Sequence, residues 1–497
     1  MSSSVLNEII YTRTGGVLLG SEYGDYYGGA VAVSEDATRV CVSAKSDDTV
    51  LNNGGSVRVY ERVSERVSER VSEWRWEQLG DTLYGETSNE RFGYSVAMSG
   101  DGTSVAVGSP WSAVSGTESG TIRVYKYTYT STTQKGVWEI VGNLMHGDMP
   151  YDRFGTSVSL NYYGTRVVGG SPYSDSRGID SGQVLPYEYT GGAWLIMDEA
   201  LRGDGIGYEY GTSLAVNGDG TSVVIGSPRY TTSSGVVTGG AKVLQWTHEW
   251  SLKGSVLEGR SEDDECGVSV AIDKLGTTVA IGAPGVSLSK ASSYSGDAAY
   301  RGYVDVYQWE MIEWEVYDWK LTAHLMGAHA ELEYFGSSVS LSTLGYTVAV
   351  GAPEVAVSGM TRVGEVSVYT RSPVGNLWLQ YGETLCGRRA NGYFGSSVVV
   401  TGDGSAVVVG SPGPLDDSMT SGTVSMYTVI TPHSSTSTLD ANDILAITNL
   451  SLLVVLCLFT VYVFQYSKKS TRRSQILYET SEAIEMNNRR ENVNMTY

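Results

Sequence analysis

The chain has 497 residues and a formal net charge of −21, with 55 acidic against 34 basic side chains. This balance argues against a nucleic-acid-binding protein, since phosphates require a basic surface. It is compatible with a cationic partner, a divalent ion, or acidity that serves solubility. Glycine is abundant at 61 residues and phenylalanine scarce at 6, while 34 tyrosines supply the aromatic bulk. Such a composition is typical of a turn-rich all-β domain.

The N-terminal residues 1–16 do not predict a secretory signal. They lack a basic start and an unbroken apolar run of about 7–15 residues. Residues 9–19 end in an apolar stretch and a glycine, Gly20, which precedes the first copy of a repeated pattern.

This pattern occurs seven times. Each copy opens with an aromatic residue or cysteine followed by glycine and closes on Gly-Ser-Pro or Gly-Ala-Pro, with Ser-Ala-Lys in the first copy. The opening glycines are Gly28, Gly93, Gly155, Gly211, Gly267, Gly336 and Gly395, and the closing prolines are Pro110, Pro172, Pro228, Pro284, Pro353 and Pro412. Opening and closing residues are 17 positions apart in every copy, whereas successive copies are 56 to 69 residues apart. A fixed core with variable spacers indicates one supersecondary unit repeated.

Each copy predicts four short strands. In the second copy, residues 95–98 form the first strand, a tight turn follows at Asp101 and Gly102, and residues 105–107 form an apolar second strand that Pro110 ends. Third strands are predicted at 56–60, 121–125, 183–187, 242–246, 303–307, 365–369 and 423–427. Tryptophan-led fourth strands are predicted at Trp74, Trp138, Trp194, Trp250, Trp314 or Trp319, and Trp378. Seven such units of roughly 60 residues predict a seven-bladed all-β propeller.

The two ends of the array fit together. The seventh copy has no tryptophan-led fourth strand, whereas residues 9–19 precede the first copy without a strand partner of their own. We therefore predict that the N-terminal segment supplies the last strand of blade seven. Closure of this kind hides the free edges that otherwise promote aggregation.

The repeat resembles the FG-GAP repeat of the integrin alpha-chain propeller and its relatives. The best matches are Phe335 and Gly336 with the closing Pro353, and Phe92 and Gly93 with the closing Pro110. The resemblance covers residues 9–428, within a propeller domain assigned to residues 1–430. It implies non-catalytic recognition of a protein or glycan on the upper face, with cell adhesion as one form of it. A fold by itself hosts many functions.

The resemblance also raises the question of calcium, which related blades often hold in the hairpin between the first two strands. Here those hairpins are residues 99–102, 217–220, 273–276, 342–345 and 401–404, and each offers at most one carboxylate. Calcium requires six to eight oxygen ligands. The hairpins are therefore interpreted as plain turns, and no cofactor is predicted.

Catalysis has little support in the sequence. The five histidines, His146, His248, His324, His329 and His433, form no metal-binding spacing, and His324 and His329 are assigned to a solvated loop. No nucleophile elbow, phosphate-binding loop or HExxH helix is present. We predict that the chain is not an enzyme and keep a propeller hydrolase with a site on the ring axis as an alternative.

Binding residues are predicted on one rim of the propeller, which is the upper face in the related family. They precede the opening glycines or follow the closing prolines, and they are aromatic or arginine, the types enriched at interface hot spots. They are Tyr23, Tyr26, Arg91, Trp111, Tyr151, Arg153, Tyr173, Tyr208, Arg229 and Tyr230, with Tyr334 as a further candidate. The alternative is that many of these rings only pack between blades.

A four-residue tandem repeat, ERVSERVSERVSE, occupies residues 61–73. We interpret it as an expanded loop between the third and fourth strands of the first blade. A short charged helix with i,i+4 pairs is the alternative.

The C-terminal composition predicts a membrane anchor. Residues 431–443 form a Ser/Thr-rich stalk, and residues 444–464 are 21 residues without a charge, enough to cross a bilayer as a helix. Lys468, Lys469, Arg472 and Arg473 follow this span, so the positive-inside rule places the tail, residues 465–497, in the cytoplasm. The propeller is then extracellular or lumenal.

Other observations favour a cytosolic propeller. Cys41, Cys266 and Cys386 lie in different blades, so they do not reproduce within-blade disulfides, and no N-glycosylation acceptor occurs in the propeller. The sequence thus predicts a single-pass membrane protein that displays a recognition propeller. A membrane-anchored scaffold facing the cytosol is kept as the alternative.

Overall fold

Seven antiparallel sheets, each built from one repeat, make up the part of the chain that the structure describes. The computed structural model describes residues 10–22, 24–66, 72–130, 135–285, 301–328, 333–372, 377–413 and 421–430. These residues belong to one compact unit, Met1–Thr431. The predicted stalk, membrane span and tail lie outside them. Within the described residues, no helix is long and apolar enough to cross a membrane.

The first three blades follow an N-terminal strand, β1 (Ile10–Leu19). Blade 1 contains β2 (Tyr27–Val33), β3 (Arg39–Ala44), β4 (Ser56–Arg66), β5 (Ser72–Gln78) and β6 (Leu83–Tyr84). Blade 2 contains β7 (Ser95–Met98), β8 (Ser104–Ser109), β9 (Thr121–Thr130), β10 (Lys135–Ile140) and β11 (Met145–His146). Blade 3 contains β12 (Ser157–Leu160), β13 (Arg166–Ser171), β14 (Gln183–Thr190), β15 (Ala193–Ile196) and β16 (Leu201–Arg202).

The remaining blades continue in chain order. Blade 4 contains β17 (Ser213–Val216), β18 (Ser222–Ser227), β19 (Gly240–Trp246), β20 (Trp250–Leu252) and β21 (Leu257–Glu258). Blade 5 contains β22 (Ser269–Ile272), β23 (Thr278–Ala283), β24 (Tyr303–Glu313) and β25 (Val316–Met326). Blade 6 contains β26 (Ser338–Leu341), β27 (Thr347–Ala352), β28 (Glu365–Arg371), β29 (Trp378–Gln380) and β30 (Leu385–Cys386). Blade 7 contains β31 (Ser397–Val400), β32 (Ala406–Ser411) and β33 (Thr423–Ile430).

The N-terminal strand closes the ring, as predicted. β1 pairs antiparallel with β33, from Ile10 opposite Ile430 to Leu19 opposite Thr423, and the sheet order of blade 7 is β1-β33-β32-β31. The register shifts between Thr14 and Val17, where two consecutive glycines provide the bulge. The all-β, seven-bladed architecture is thereby confirmed for the described residues.

The second strands carry the core. All six residues of β8 are buried, because the strand lies between two others in its own sheet and between the sheets of adjacent blades. The hydrophobic clusters accordingly span two blades: in one of them Ile122 of blade 2 packs with Phe154 and Trp194 of blade 3. The six second strands that precede a closing proline all end one residue before it, as expected for a residue that cannot donate to a ladder.

The repeat motif joins each blade to the next. Ser95, at the start of β7, donates its hydroxyl to the carbonyl of Gly155, the opening glycine of blade 3, at 2.8 Å. Five other blades make the same bond at 2.6–2.9 Å, including Ser397 to Gly28 across the ring closure. A Cβ on Gly108 would lie 2.2 Å from the same Gly155 carbonyl. Blades approach too closely here for any side chain, which explains the glycine of the closing motif.

Tryptophans of the fourth strands form a second link between blades. Trp138, Trp194 and Trp319 donate their indole N–H to backbone carbonyls of the preceding blade at 2.7–2.8 Å. This settles the choice in blade 5, since Trp319 is buried whereas Trp314 is 83% exposed.

In blade 1 the predicted fourth strand is present and contains Trp74, but the tryptophan that corresponds to Trp138 is Trp76. Trp76 pairs with Arg62 and so holds the ladder position of Trp138, whereas Trp74 is 45% exposed. A shift of two residues keeps a side chain on the same face of a strand, so alternation alone could not choose between the two tryptophans.

Other strand boundaries also differ from the prediction. The third strand of blade 4 begins at Gly240, which pairs with Ser227, two residues before the predicted start at Lys242. The outer edge of five blades is split, because a two-residue strand such as β11 pairs with the start of the third strand beside the longer fourth strand.

Both described parts of the tandem repeat at 61–73 form strand, which corrects the predicted loop there, whereas residues 67–71 lie outside the described residues. Residues 61–66 continue β4 and residues 72–73 begin β5, which pair up to Arg66 opposite Ser72. The alternation of the ERVS unit suits a strand as well as a helix.

Candidate recognition surface

The propeller has two ends that differ in construction. First strands run from the opening glycine to the hairpin that joins them to the second strands, and second strands return to the closing proline. We call the end with the opening glycines and closing prolines the motif face, and the opposite end the hairpin face. The motif face is the predicted upper face.

One backbone position on the motif face is left-handed in every blade. It is the residue before the aromatic or cysteine of the opening pair, and its φ is between 51° and 59° at Tyr26, Arg91, Arg153, Glu209, Glu265, Tyr334 and Tyr393. This conformation is unfavourable for residues other than glycine. Neighbouring backbone enforces it: the Arg91 N–H donates to the Asn53 carbonyl at 3.2 Å, and the Arg91 carbonyl accepts from the Tyr94 N–H at 3.0 Å. The backbone is thus fixed while the side chain varies.

A buried acidic side chain supports this turn from below in several blades. Glu90 is 0% exposed and its carboxylate accepts the Glu86 N–H at 2.6 Å and an Arg123 N–H at 3.4 Å. Asp152 takes the equivalent place in blade 3, where burial raises its pKa despite a bond from the Met149 N–H at 3.1 Å. These carboxylates hold the loop backbone and leave the residue after them on the surface.

Asp25 takes the same place in blade 1. Burial, followed by the nearby Asp47 carboxylate, raises its pKa to about 6. One oxygen of Asp25 is buried and has no hydrogen-bond partner among the described residues.

Seven side chains of blades 1 to 3 come together on the motif face. The Lys45 ammonium lies 4.5 Å from the centre of the Tyr26 ring and 4.8 Å from that of Tyr94. The Tyr94 ring meets Trp111 edge to face at 5.0 Å. These residues and the guanidinium groups beside them form the cation–ring cluster, defined as Tyr26, Lys45, Arg91, Tyr94, Trp111, Arg153 and Tyr173.

Two guanidinium groups of the cluster share one indole. The Arg91 guanidinium lies 4.4 Å and the Arg153 guanidinium 5.2 Å from the Trp111 ring centre. Arg153 also lies 5.0 Å from the Tyr173 ring and pairs with Glu118 at 2.7 Å. Each cation is therefore held over a ring by the chain itself.

The charge of the cluster is only partly compensated. Within the described ranges, Arg153 has a carboxylate partner, whereas no ion pair is made by Lys45 or Arg91. Burial, and next the nearby Arg91 charge, lower the pKa of Lys45 to about 8. Burial raises the pKa of Tyr94, so its hydroxyl stays neutral near pH 7.

A second, smaller group lies in blade 4. The Tyr208 and Tyr230 rings pack edge to face at 5.2 Å, and Tyr208 donates its hydroxyl to the Thr231 carbonyl at 3.2 Å. Arg229 pairs with Glu209 at 2.8 Å. Burial raises the pKa of Glu209, and the Arg229 charge opposes this. In contrast to the cation–ring cluster, this group has its basic side chain neutralised.

The structure gathers most predicted binding residues into these two groups. Tyr26, Arg91, Trp111, Arg153 and Tyr173 enter the cation–ring cluster, and Tyr208, Arg229 and Tyr230 form the group in blade 4. Tyr151 belongs to neither and is 58% exposed, and Tyr23 lies outside the described residues.

Sequence reasoning missed Lys45 and Tyr94. Lys45 stands where the other copies have proline, and Tyr94 stands where they have a small or β-branched residue. A departure from the repeat was the signal that could have identified both.

The hairpin face is closed by backbone. Each first-strand hairpin donates an N–H to the carbonyl of the hairpin in the next blade at 2.9–3.2 Å, and the seventh, at Gly402, donates to Glu35 of the first. The ring of seven bonds runs through Glu35, Gly100, Tyr162, Gly218, Lys274, Thr343 and Gly402. Backbone amides at the axis are thereby satisfied without side chains.

A polar cluster lies within this ring. The Glu35 carboxylate accepts bonds from the Lys274 ammonium at 3.0 and 3.1 Å and from the Thr343 hydroxyl at 3.0 Å. The Lys274 ammonium lies 3.5 Å from the centre of the Tyr162 ring. Although burial opposes ionisation, bonds from Lys274, Thr343 and Tyr162 outweigh it and lower the pKa of Glu35. The adjoining axial cavity has a volume of about 230 Å³.

The hairpin carboxylates are occupied by their own turns. Asp101 accepts the Ser99 hydroxyl at 2.6 Å and the Thr103 N–H at 2.9 Å. Burial opposes ionisation of Asp101, but these bonds outweigh it and lower its pKa. In the part of the chain that the structure describes, no three His, Cys, Asp or Glu side chains are arranged to hold a metal ion.

His324 does not lie in a loop, contrary to the prediction. It is part of β25, opposite Asp305 of β24, and its Nδ1 lies 2.6 Å from the Asp305 carboxylate. The same carboxylate accepts two bonds from Arg260 at 2.9 and 3.2 Å. These contacts link the outer strand of blade 5 to its neighbour. His329 lies outside the described residues.

Two solved structures illustrate what this chain is similar to. Hydrazine synthase of Kuenenia stuttgartiensis is similar at a TM-score of 0.49 and 11% identity, over 84% of this chain and 97% of that one. A candidate 6-phosphogluconolactonase of Bacteroides uniformis ATCC 8492 is similar at a TM-score of 0.46 and 10% identity, over 72% and 85%. No curated protein matches this chain.

A family comparison matches residues 85–125 to the FG-GAP repeat. The match covers Gly93 and Pro110, on which the resemblance was based, and the three inner strands of blade 2 up to Tyr125. Its opening motif recurs in the other six sheets, with cysteine for the aromatic residue in one of them, and its closing motif recurs in five. Residues 85–125 are therefore an FG-GAP repeat. It lies within a seven-bladed β-propeller, and an FG-GAP propeller fold suggests a recognition domain.

Proposed function

We propose that this chain is a membrane-anchored recognition protein whose propeller binds a protein or glycan partner on its motif face without catalysis. The observation that carries the proposal is the cation–ring cluster, in which three cations and four aromatic rings of three blades form one continuous surface. Residues 444–464 serve as the anchor, with the propeller extracellular or lumenal and the tail cytoplasmic. Adhesion is one form that such recognition takes.

The composition of the cluster supports binding. Tryptophan, tyrosine and arginine dominate the energetics of protein interfaces, because they provide large contact areas and directed hydrogen bonds. Side chains that interact with one another on a fixed backbone lose little conformational entropy on binding. The left-handed turns at Arg91 and Arg153 supply that fixed backbone.

The side chains at the axis give less support to the hydrolase alternative. Two charged side chains next to the axial cavity are occupied in a contact between blades, since Glu35 accepts from Lys274 and also from Thr343. A general acid or base needs a proton free to transfer to a substrate. The hydrolase alternative would need Glu35 or Lys274 to be released from this arrangement.

Site-specific photo-crosslinking in cells tests recognition on the motif face. A photoreactive amino acid replaces Tyr151 or Tyr173, which are 58% and 36% exposed on the motif face, in the full chain. Matched controls replace Tyr163 or Tyr346, which are 66% and 53% exposed in hairpins of the opposite face. We expect the same crosslinked partner from both motif-face positions and none from the controls. Equal crosslinking from all four positions, or from the hairpin face alone, would contradict the proposal.

Protease protection of the full chain in sealed microsomes, with an epitope tag at each end, tests the topology. Protection of the propeller with cleavage of the tail supports the exoplasmic display. Digestion of the propeller would replace it with the cytosol-facing scaffold, for which the same motif-face surface would bind a cytosolic partner.

A further inference from the structure

We infer that the partner recognised by the cation–ring cluster is an acidic protein segment whose carboxylates bind beside Lys45 and Arg91. This inference rests on the proposed function and names the chemistry of the ligand. It follows from the charge of the cluster, from the way its cations are held, and from the distribution of charge over the motif face.

The cluster concentrates positive charge on an acidic protein. The last 33 residues carry six basic and four acidic side chains, so the rest of the chain sums to −21 − 2 = −23. On this background Lys45 and Arg91 lie close enough that the arginine charge disfavours protonation of the lysine. Neither forms an ion pair with a carboxylate of the described residues, whereas Arg153 pairs with Glu118. A bound anion would relieve the repulsion between the two cations.

The geometry favours carboxylates over sugar rings. Glycans bind to proteins largely by stacking on open aromatic faces, but the Trp111 indole already carries the Arg91 and Arg153 guanidinium groups at 4.4 and 5.2 Å. A guanidinium stacked on a ring presents its N–H groups in its own plane, where they match the two oxygens of a carboxylate. A flexible peptide with several Asp or Glu side chains can reach both Arg91 and Lys45.

The motif face is also polarised. The left-handed position that carries Arg91 and Arg153 in blades 2 and 3 carries Glu209 and Glu265 in blades 4 and 5. At this backbone position an acidic segment therefore meets guanidinium groups in blades 2 and 3 and carboxylates in blades 4 and 5. Such an arrangement sets the orientation of a partner as well as its charge.

The test measures binding of fluorescent poly-L-glutamate to the full chain in nanodiscs of neutral lipid. Arg91→Glu is the main variant, because the fold already accommodates glutamate at this backbone position in blades 4 and 5. Lys45→Met is the second, since it keeps the apolar stem between the rings and removes the charge. Arg362→Glu is the control, an equal charge change on the same face in blade 6, where Arg362 pairs with Glu354 at 2.9 Å. Thermal unfolding verifies that all variants fold.

We expect Arg91→Glu to weaken poly-L-glutamate binding by about tenfold and Arg362→Glu by less than about twofold. Higher salt should weaken binding to the unmodified chain. Absence of binding at about 0.1 M salt, or equal losses in Arg91→Glu and Arg362→Glu, would overturn the inference. Heparin binding that exceeds poly-L-glutamate binding and is lost in Arg91→Glu would also overturn it, in favour of a sulfated glycan.

The inference and the proposed function fail separately. If motif-face crosslinking identifies a partner that the Arg91→Glu variant still binds, the proposed recognition is supported and the inferred acidic ligand is excluded. If poly-L-glutamate binds as expected but motif-face positions crosslink nothing in cells, the surface has the inferred chemistry and the proposed function is wrong.

Discussion

The two faces of the propeller link neighbouring blades in different ways. On the hairpin face, backbone groups of all seven blades bond to one another around the axis, and Lys274 of blade 5 reaches Glu35 of blade 1. On the motif face, the blades are linked from below by serine hydroxyls, as from Ser95 to Gly155. The residues above that link differ from blade to blade.

This difference shows where the fold permits variation. At the hairpin face, a change of side chain disturbs contacts that tie blades together, because Glu35 and Lys274 meet close to the axis. At the motif face, buried groups such as Glu90 and the Gly155 carbonyl bear the structural role, and the adjacent surface residue is free to be tyrosine, arginine or glutamate. The proposed recognition surface thus lies where the frame does not depend on the side chain.

The largest expected effect comes from breaking the frame that both faces share. Phe154 is 0% exposed between blades 2 and 3. We expect Phe154→Ala to lower the free energy of unfolding by about 3–5 kcal/mol, because it removes buried apolar surface and leaves a cavity. Urea unfolding of the full chain in detergent measures this. Tyr163→Ala, at a residue 66% exposed, is the control, and a loss as large in the control would contradict the assignment of Phe154 to the core.

The link between fourth strands should matter less. Trp319→Phe removes the indole bond to the Lys253 carbonyl, 2.7 Å long, and leaves that carbonyl unpaired. We expect a loss of about 1–2 kcal/mol in the free energy of unfolding. Trp314→Phe, at a residue 83% exposed in the same hairpin, should change it by less than about 0.5 kcal/mol. If the two variants lose the same stability, Trp319 does not link the blades.

The contribution of the Glu35–Lys274 contact to stability should depend on pH. Because the pKa of Glu35 is lowered in the folded state, its carboxylate stabilises the fold above the unfolded pKa of about 4.5. This contribution is lost as the pH falls through the lower folded pKa. We expect Glu35→Gln to cost about 1 kcal/mol near pH 7 and progressively less as the pH falls below about 4.5. Glu199→Gln, at a side chain 78% exposed, should show no such pH dependence, and a pH-independent cost at Glu35 would exclude the carboxylate as its cause.

The smallest effect concerns the charge of the motif face. Lys45 has its pKa lowered to about 8, so it loses its proton as the pH rises from 7 to 9, while Tyr94 stays neutral because its own pKa is raised. Binding of an anion favours the protonated lysine. We expect poly-L-glutamate affinity to fall about threefold over this range. Lys45→Met should remove most of this pH dependence of the affinity. If the affinity of that variant still falls as steeply with pH, another titrating group causes the dependence.

The fold could be predicted from sequence because its physical causes are local and repeated. The spacing from Gly93 to Pro110 reflects a pair of strands, a turn and a close approach between blades, and seven copies average out errors in any one of them. Register was less certain, since Trp74 and Trp76 lie on the same face of one strand. The site was predicted only in outline, because Lys45 and Arg91 meet through the ring geometry, which no local pattern encodes.

The pairing of β1 with β33 has a mechanical consequence. Third strands run from the motif face to the hairpin face, so β33 ends at Ile430 on the hairpin face, where it pairs with Ile10. A pull on Ile430 directed away from a partner held on the motif face therefore loads β33 along its length. The hydrogen bonds that join β33 to β1 and to β32 are then loaded at the same time. They resist sliding of β33 as a group and cannot break one pair at a time. The pairing of β1 with β33, which closes the ring, is thus also placed to bear tension.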